Sequence, residues 1–142
     1  MTDEMTDEQL KDILTKNKVV ASVGLSADET KDSFAVGVYL QRAGYRIIPV
    51  NPKADRILGQ RVYRTLADIP VHVNIVQVFR PSAEAEGVVE AAIAKGANVV
   101  WMQEGIANEA AAAKARAAGL QVVMDRCMMQ EHRRLVSSVP TD

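Results

Sequence analysis

A chain of 142 residues, 48% hydrophobic and 25% charged, can bury one well-packed core but not two. Its formal net charge of -1 argues against general nucleic-acid binding, because no excess of cations is present to neutralise a phosphate backbone; one local phosphate site stays open to it. A single cysteine, Cys127, excludes an intramolecular disulfide. Residues 1–12 lack the basic-then-apolar pattern of a secretion signal, and no apolar run nears the roughly 20 residues that cross a bilayer, so a soluble cytoplasmic protein is expected.

In chain order, Thr6 followed by Asp7 and Glu8, then Leu10, Ile13 and Leu14 at helical spacing, predicts a short helix within an N-terminal extension of residues 1–17. Residues 18–23 form a β-branched apolar run without polar alternation, which suits a strand buried on both faces. A helix follows over 33–43 with Gly44 as its stop, then a strand over 46–50 closed by Asn51 and Pro52. The pattern repeats: strand 73–79, helix 82–95 stopped by Gly96, strand 98–102, an alanine-rich helix capped by Asn108 and ended by Gly119, strand 121–124, and helix 128–135. The main domain is expected to span 18–136, with 137–142 as a loose tail. Strands alternating with helices imply parallel pairing through right-handed crossovers. The expected fold is therefore α/β, a single Rossmann-like doubly wound domain with a five-stranded, mainly parallel sheet. Ligands bind such sheets outside the carboxyl ends of the strands.

That edge carries a polar cluster after each strand. After the first, Gly24 allows a tight turn and close ligand approach, Ser26 and Ser33 offer hydroxyls, Lys31 adds a cation, and a helix N-terminus follows. The dinucleotide fingerprint G-x-G-x-x-G is absent, since Ser26 stands at its second glycine. After the second strand come Asn51, Pro52 and Lys53, with no acid for ribose hydroxyls; a lysine there suits a phosphorylated ribose, as in NADP or the 3′-phosphate of coenzyme A. After the third, Arg80 is suited to clamp phosphate. Gln103, Glu104 and Gly105 follow the fourth, and Asp125, Arg126 and Cys127 the fifth. Each cluster has a plainer reading as a solvated turn, but one per strand on the same edge points to an anionic, phosphate-bearing ligand.

Several of these pieces together resemble the CoA-binding domain family of small bacterial and archaeal proteins, similar in turn to the N-terminal domain of the succinyl-CoA synthetase alpha subunit. The matching stretches are Val23-Gly24-Leu25-Ser26, Gly44 to Pro52, Val78-Phe79-Arg80, the Gly105 turn, Met124 to Cys127 and Glu131 to Leu135. The resemblance implies that Gly24, Leu25, Ser26 and Ser33 hold the diphosphate with Lys31 and Arg80 nearby. It implies that Asn51, Pro52 and Lys53 flank the adenosine 3′-phosphate, and that Val78, Phe79, Gln103, Gly105 and Ile106 line the pantetheine arm. Coenzyme A or an acyl-CoA is the ligand so implied. Synthetase activity is not, because neither His72 nor His132 sits in a motif like that of the synthetase's phosphohistidine.

No catalytic residues and no metal ligands are expected: one cysteine and two distant histidines lack ligand spacing, and Cys127 with His132 lacks a third group to orient it. Cys127 has two readings, a buried hydrophobe or a thiol at the ligand edge able to form a mixed disulfide with coenzyme A. Three functions from different classes stay open: a CoA-binding module without catalytic machinery, an NADP-dependent oxidoreductase, and a regulatory or interaction subunit with structural CoA. The partners expected are the small-molecule ligand and either a second copy in a homodimer or an unknown protein, with no nucleic acid or membrane.

Overall fold

Most strands of this chain are apolar on both sides, which fits a sheet covered by helices on both faces. The computed structural model describes residues 5–136, so the tail expected over 137–142 lies outside the described residues. The elements are α1 (Asp7–Lys16), β1 (Val19–Val23), α2 (Asp32–Arg42), β2 (Arg46–Val50), β3 (Arg56–Ile57), β4 (Gln60–Arg61), β5 (Ile75–Val78), α3 (Ala85–Lys95), β6 (Val99–Met102), α4 (Glu109–Ala117), β7 (Gln121–Val123) and α5 (Met128–Leu135). Five strands form one sheet in the order β2-β1-β5-β6-β7, and β3 and β4 form a separate hairpin. Every pairing in the large sheet is parallel, so the sheet is wholly and not just mainly parallel.

Alternate residues of each strand feed two cores. Ala21, Val76, Val100 and Val122 pack with Val89 and Ala92 of α3 and Ala111 and Ala115 of α4. Val20, Ile75, Val99 and Trp101 pack with α1, α2 and α5 through Leu10, Leu40 and Met128. Helix α1 belongs to this second core: Leu10, Ile13 and Leu14 are fully buried, and Asp7 binds Arg134 of α5 through two oxygens at 2.8 and 2.9 Å. Its start is fixed by a capping box, in which Thr6 and Gln9 each satisfy the other's backbone amide.

Three differences from the sequence reading have local causes. The third strand starts at Ile75 and not at residue 73, because Asn74 spends its side chain on the Val19 amide and its carbonyl on Asn98 and Val99. The helix read over 82–95 begins as a 3-10 turn, Ser82–Glu84, directly after Pro81. The β3–β4 hairpin carries no periodicity to read, being two residues a side, and its turn is hidden by composition. Leu58 and Gly59 both have positive φ, 55° and 74°, the backbone of a tight hairpin turn that asparagine or glycine usually announces. Leu58 is held there by packing against Gly37 of α2 and by the Gln41 amide on its carbonyl.

The order β2-β1-β5-β6-β7 places the reversal of winding between β1 and β5. The crevice outside their carboxyl ends is where an open parallel sheet takes its ligand.

Candidate functional site at the carboxyl edge

The β1–α2 loop enters this crevice at Gly24, whose amide donates to the Val50 carbonyl and whose φ is 91°. The space beside its α-carbon is filled by Arg80 and the Phe79 backbone of the β5 loop. Glycine is therefore required here by the tight turn that the sequence reading expected and by the approach of a neighbouring loop. Leu25 contributes only backbone to the edge, since its side chain is fully buried on the α2 side. Its carbonyl accepts from Asn51 Nδ2 at 3.0 Å, which ties the β1 and β2 loops together.

Ser26 and Ser33 are brought together, and they shape the loop. The Ser26 amide donates to Ser33 Oγ at 3.1 Å, while Ser26 Oγ accepts from the Asp28 amide at 3.0 Å. Thr30 donates its hydroxyl and its amide to Asp28, holding that carboxyl below its ordinary range. Lys31 is the N-cap residue of α2 but supplies no side-chain cap, so the first-turn amides of α2 face the crevice edge without a side-chain acceptor from that position. A helix N-terminus in this state, next to an exposed lysine, favours an anion.

On the β2 side, Asn51 Oδ1 accepts from the amides of Lys53 and Ala54 at 2.8 and 3.1 Å. Pro52 and Lys53 are exposed on the resulting turn. Beside it opens a cleft of about 510 Å³ lined by Asp55, Arg61, Val62, Tyr63, Arg64 and Asp68. Arg64 is committed there, to the Asn51 carbonyl and to Asp55, whereas Arg61 lies over the Tyr63 ring at 5.2 Å.

On the β5 side the structure separates residues that the resemblance grouped. Val78 is fully buried among the α3 and α4 residues, so its side chain lines no ligand surface; the correction follows from the inward position it takes on β5. Phe79 is half-buried, with its amide on the Val23 carbonyl. Arg80 reaches the edge, but its guanidinium is engaged by Glu84 through two hydrogen bonds of 3.0 Å. Those bonds hold the Glu84 carboxyl below its usual range.

Gln103 is only 5% exposed and heads the β6 turn, its amide on the Val78 carbonyl. Gly105, with φ of 86°, donates its amide to Asp125 Oδ1 at 2.7 Å, and the Asp125 amide returns to the carbonyl of half-buried Ile106. The β6 and β7 loops are thus stitched to each other. Cys127 is buried at the start of α5, and His132 meets the Tyr39 hydroxyl through Nδ1 at 2.9 Å. Burial, and then the charge of Lys18, push the His132 imidazole below its ordinary pKa.

Three residues of this edge escaped the sequence reading. Ser22 Oγ donates to Gln77 Oε1 at 2.6 Å, and Gln77 Nε2 donates to Gln103 Oε1 at 3.0 Å, all inside the sheet. A polar residue in each of two otherwise apolar strands was the available signal. Glu84 was also missed, although its place four residues after Arg80 is the ordinary spacing of a helical ion pair.

A family profile described as a CoA binding domain matches residues 18–133. Bacillus subtilis has an uncharacterised protein, YneT, that is 40% identical over 124 residues, covering 87% of this chain and 92% of that protein. The ADP-forming acetate–CoA ligase of Methanocaldococcus jannaschii is 31% identical over 90 residues; the match covers 63% of this chain but 13% of the ligase. A hypothetical protein from Pyrococcus horikoshii has the same fold throughout, with a TM-score of 0.92 and 41% identity over 96% of this chain and 99% of that one. With the profile spanning the sheet from β1 into α5, the chain belongs to the CoA binding domain family.

Proposed function

We propose that this protein binds coenzyme A or an acyl-CoA across the β1–β5 crevice and performs no catalysis of its own. The observation that carries the binding is the uncapped N-terminus of α2, shaped by the Ser26–Ser33 bond and set beside Lys31, in a chain of this family. The diphosphate fits this loop, and the adenosine 3′-phosphate lies toward Lys53 and the cleft next to it. The two histidines and the cysteine support a binding role. His72 is bonded to Asn98, His132 to Tyr39, and Cys127 is buried.

Native mass spectrometry of the purified protein should reveal a bound CoA species, and calorimetry should rank CoA above dephospho-CoA and NADP. In Lys53→Ala the preference for CoA over dephospho-CoA should shrink about tenfold, since a hydrogen bond to a charged group contributes about 1.5–3 kcal/mol. Equal affinity of the unaltered protein for CoA and dephospho-CoA removes Lys53 from the site. Tighter binding of NADP than of CoA overturns the reading in favour of an oxidoreductase.

A further inference from the structure

Ser22, Gln77 and Gln103 form a line of hydrogen bonds through the sheet just beneath the carboxyl edge. Ser22 and Gln77 are fully buried and Gln103 nearly so. In a parallel sheet these inward positions ordinarily hold apolar residues, because each buried amide or hydroxyl loses its water. The line has a fixed polarity, and one backbone group sets it. The Met128 amide lies 3.0 Å from the Gln103 carboxamide, and a backbone N–H can only donate. The Gln103 atom facing it is therefore the oxygen. Gln77 meets that same oxygen at 3.0 Å and must do so with its nitrogen. The Gln77 oxygen then points to Ser22, whose hydroxyl donates to it at 2.6 Å. Neither carboxamide can turn over without placing like against like in a dry interior.

The consequence falls on the outer end. With Gln103 Oε1 holding two donors, Nε2 points the other way, and among the described residues no acceptor stands against it. No side-chain nitrogen or oxygen among those residues is both fully enclosed and unpartnered, so this Nε2 reaches the surface at the β6 turn. It is a neutral donor on a side chain whose oxygen is held by the Met128 amide and by Gln77. Such a donor suits a neutral carbonyl better than a phosphate, which the α2 N-terminus and Lys31 already serve.

We infer that Ser22 and Gln77 are positioning residues that present Gln103 Nε2 to a carbonyl oxygen on the pantetheine arm or its thioester. This inference rests on the proposed CoA binding. It assigns the arm's recognition to a relay two residues deep in the sheet, and predicts that the relay reads the arm and not the nucleotide.

The test compares CoA with adenosine 3′-phosphate 5′-diphosphate, which lacks the arm, by calorimetry. Gln103→Leu and Gln77→Leu should each lose about five- to tenfold in CoA affinity, the worth of one hydrogen bond, and keep their affinity for the armless nucleotide. At Ser22 the isosteric pair Ser22→Thr and Ser22→Val crowds the strand equally; the threonine should retain CoA affinity and the valine should lose it. On the unaltered protein, which needs no variant to fold, the Gln103 side-chain amide signals in NMR should shift with CoA and stay still with the armless nucleotide. Equal losses for both ligands, or amide signals that move with both or neither, overturn the relay's role while leaving CoA binding intact. Failure of the unaltered protein to bind either ligand overturns the CoA reading itself.

Discussion

A β-carbon built on Gly24 would stand 2.8 Å from Arg80 Cδ and 3.3 Å from the Phe79 carbonyl carbon. The left-handed backbone of Gly24 adds a second penalty for any other residue, since its φ is 91°. Gly24→Ala should therefore cost about 1–3 kcal/mol of stability, read by urea denaturation, and should weaken CoA binding by displacing Arg80. Unchanged stability would mean that the β1 and β5 loops separate without cost.

Glu84 engages Arg80 Nε and Nη2 through both carboxylate oxygens, so a phosphate competes with Glu84 for the guanidinium. Glu84→Gln should release the guanidinium and raise CoA affinity a few-fold, whereas Arg80→Ala should lower it about tenfold. Melting temperatures should hardly move in either variant, because the pair is exposed to solvent. Calorimetry on both variants decides the matter. If Glu84→Gln binds no better and Arg80→Ala no worse, Arg80 serves only to cover Gly24.

His132 gives the fold a defined response to acid. It is buried against the rings of Tyr39 and Tyr45, with Lys18 over the Tyr45 ring and Arg133 over the Tyr39 ring. Burial lowers its pKa in the folded state below the ordinary 6.5. The unfolded chain then binds the proton more readily, so stability is full above about pH 6.5 and falls as the pH drops below that value. Urea midpoints measured from pH 8 to pH 5 should show this decline, and His132→Gln should flatten it. A flat profile in the unaltered protein would show that His132 is protonated at no cost.

Cys127 is 8% exposed and packs in the core shared by α1, α2 and α5. Between the two readings its sequence allowed, the geometry favours the buried hydrophobe. Incubation with CoA disulfide should add no mass to the native protein, and one CoA after unfolding in urea. An adduct on the native protein, abolished in Cys127→Ser, would return the thiol to the ligand edge.

Much of this molecule was legible before folding. The unbroken apolar runs around Val20, Ile48, Val76 and Val100 announced a sheet buried on both sides, and capping by Thr6 and Asn108 marked helix starts that the structure repeats. The alternation of elements was enough for parallel pairing, and with it the edge at which Gly24, Asn51, Arg80 and Gln103 meet. These features are local, arising from periodicity, capping and short-range backbone preference, which each stretch of chain carries by itself.

What the tertiary structure alone decided is who stands next to whom. Nothing local says that Val78 faces inward while Arg80 covers Gly24, that Leu58 docks on Gly37, or that Ser22 and Gln77, 55 residues apart, share a hydrogen bond. The register of β1 against β5 sets Ser22 beside Gln77, and the placement of α5 brings the Met128 amide to Gln103. Contacts across strands and loops depend on the whole packing, because burying a polar atom is tolerated only where a distant part of the chain supplies its partner.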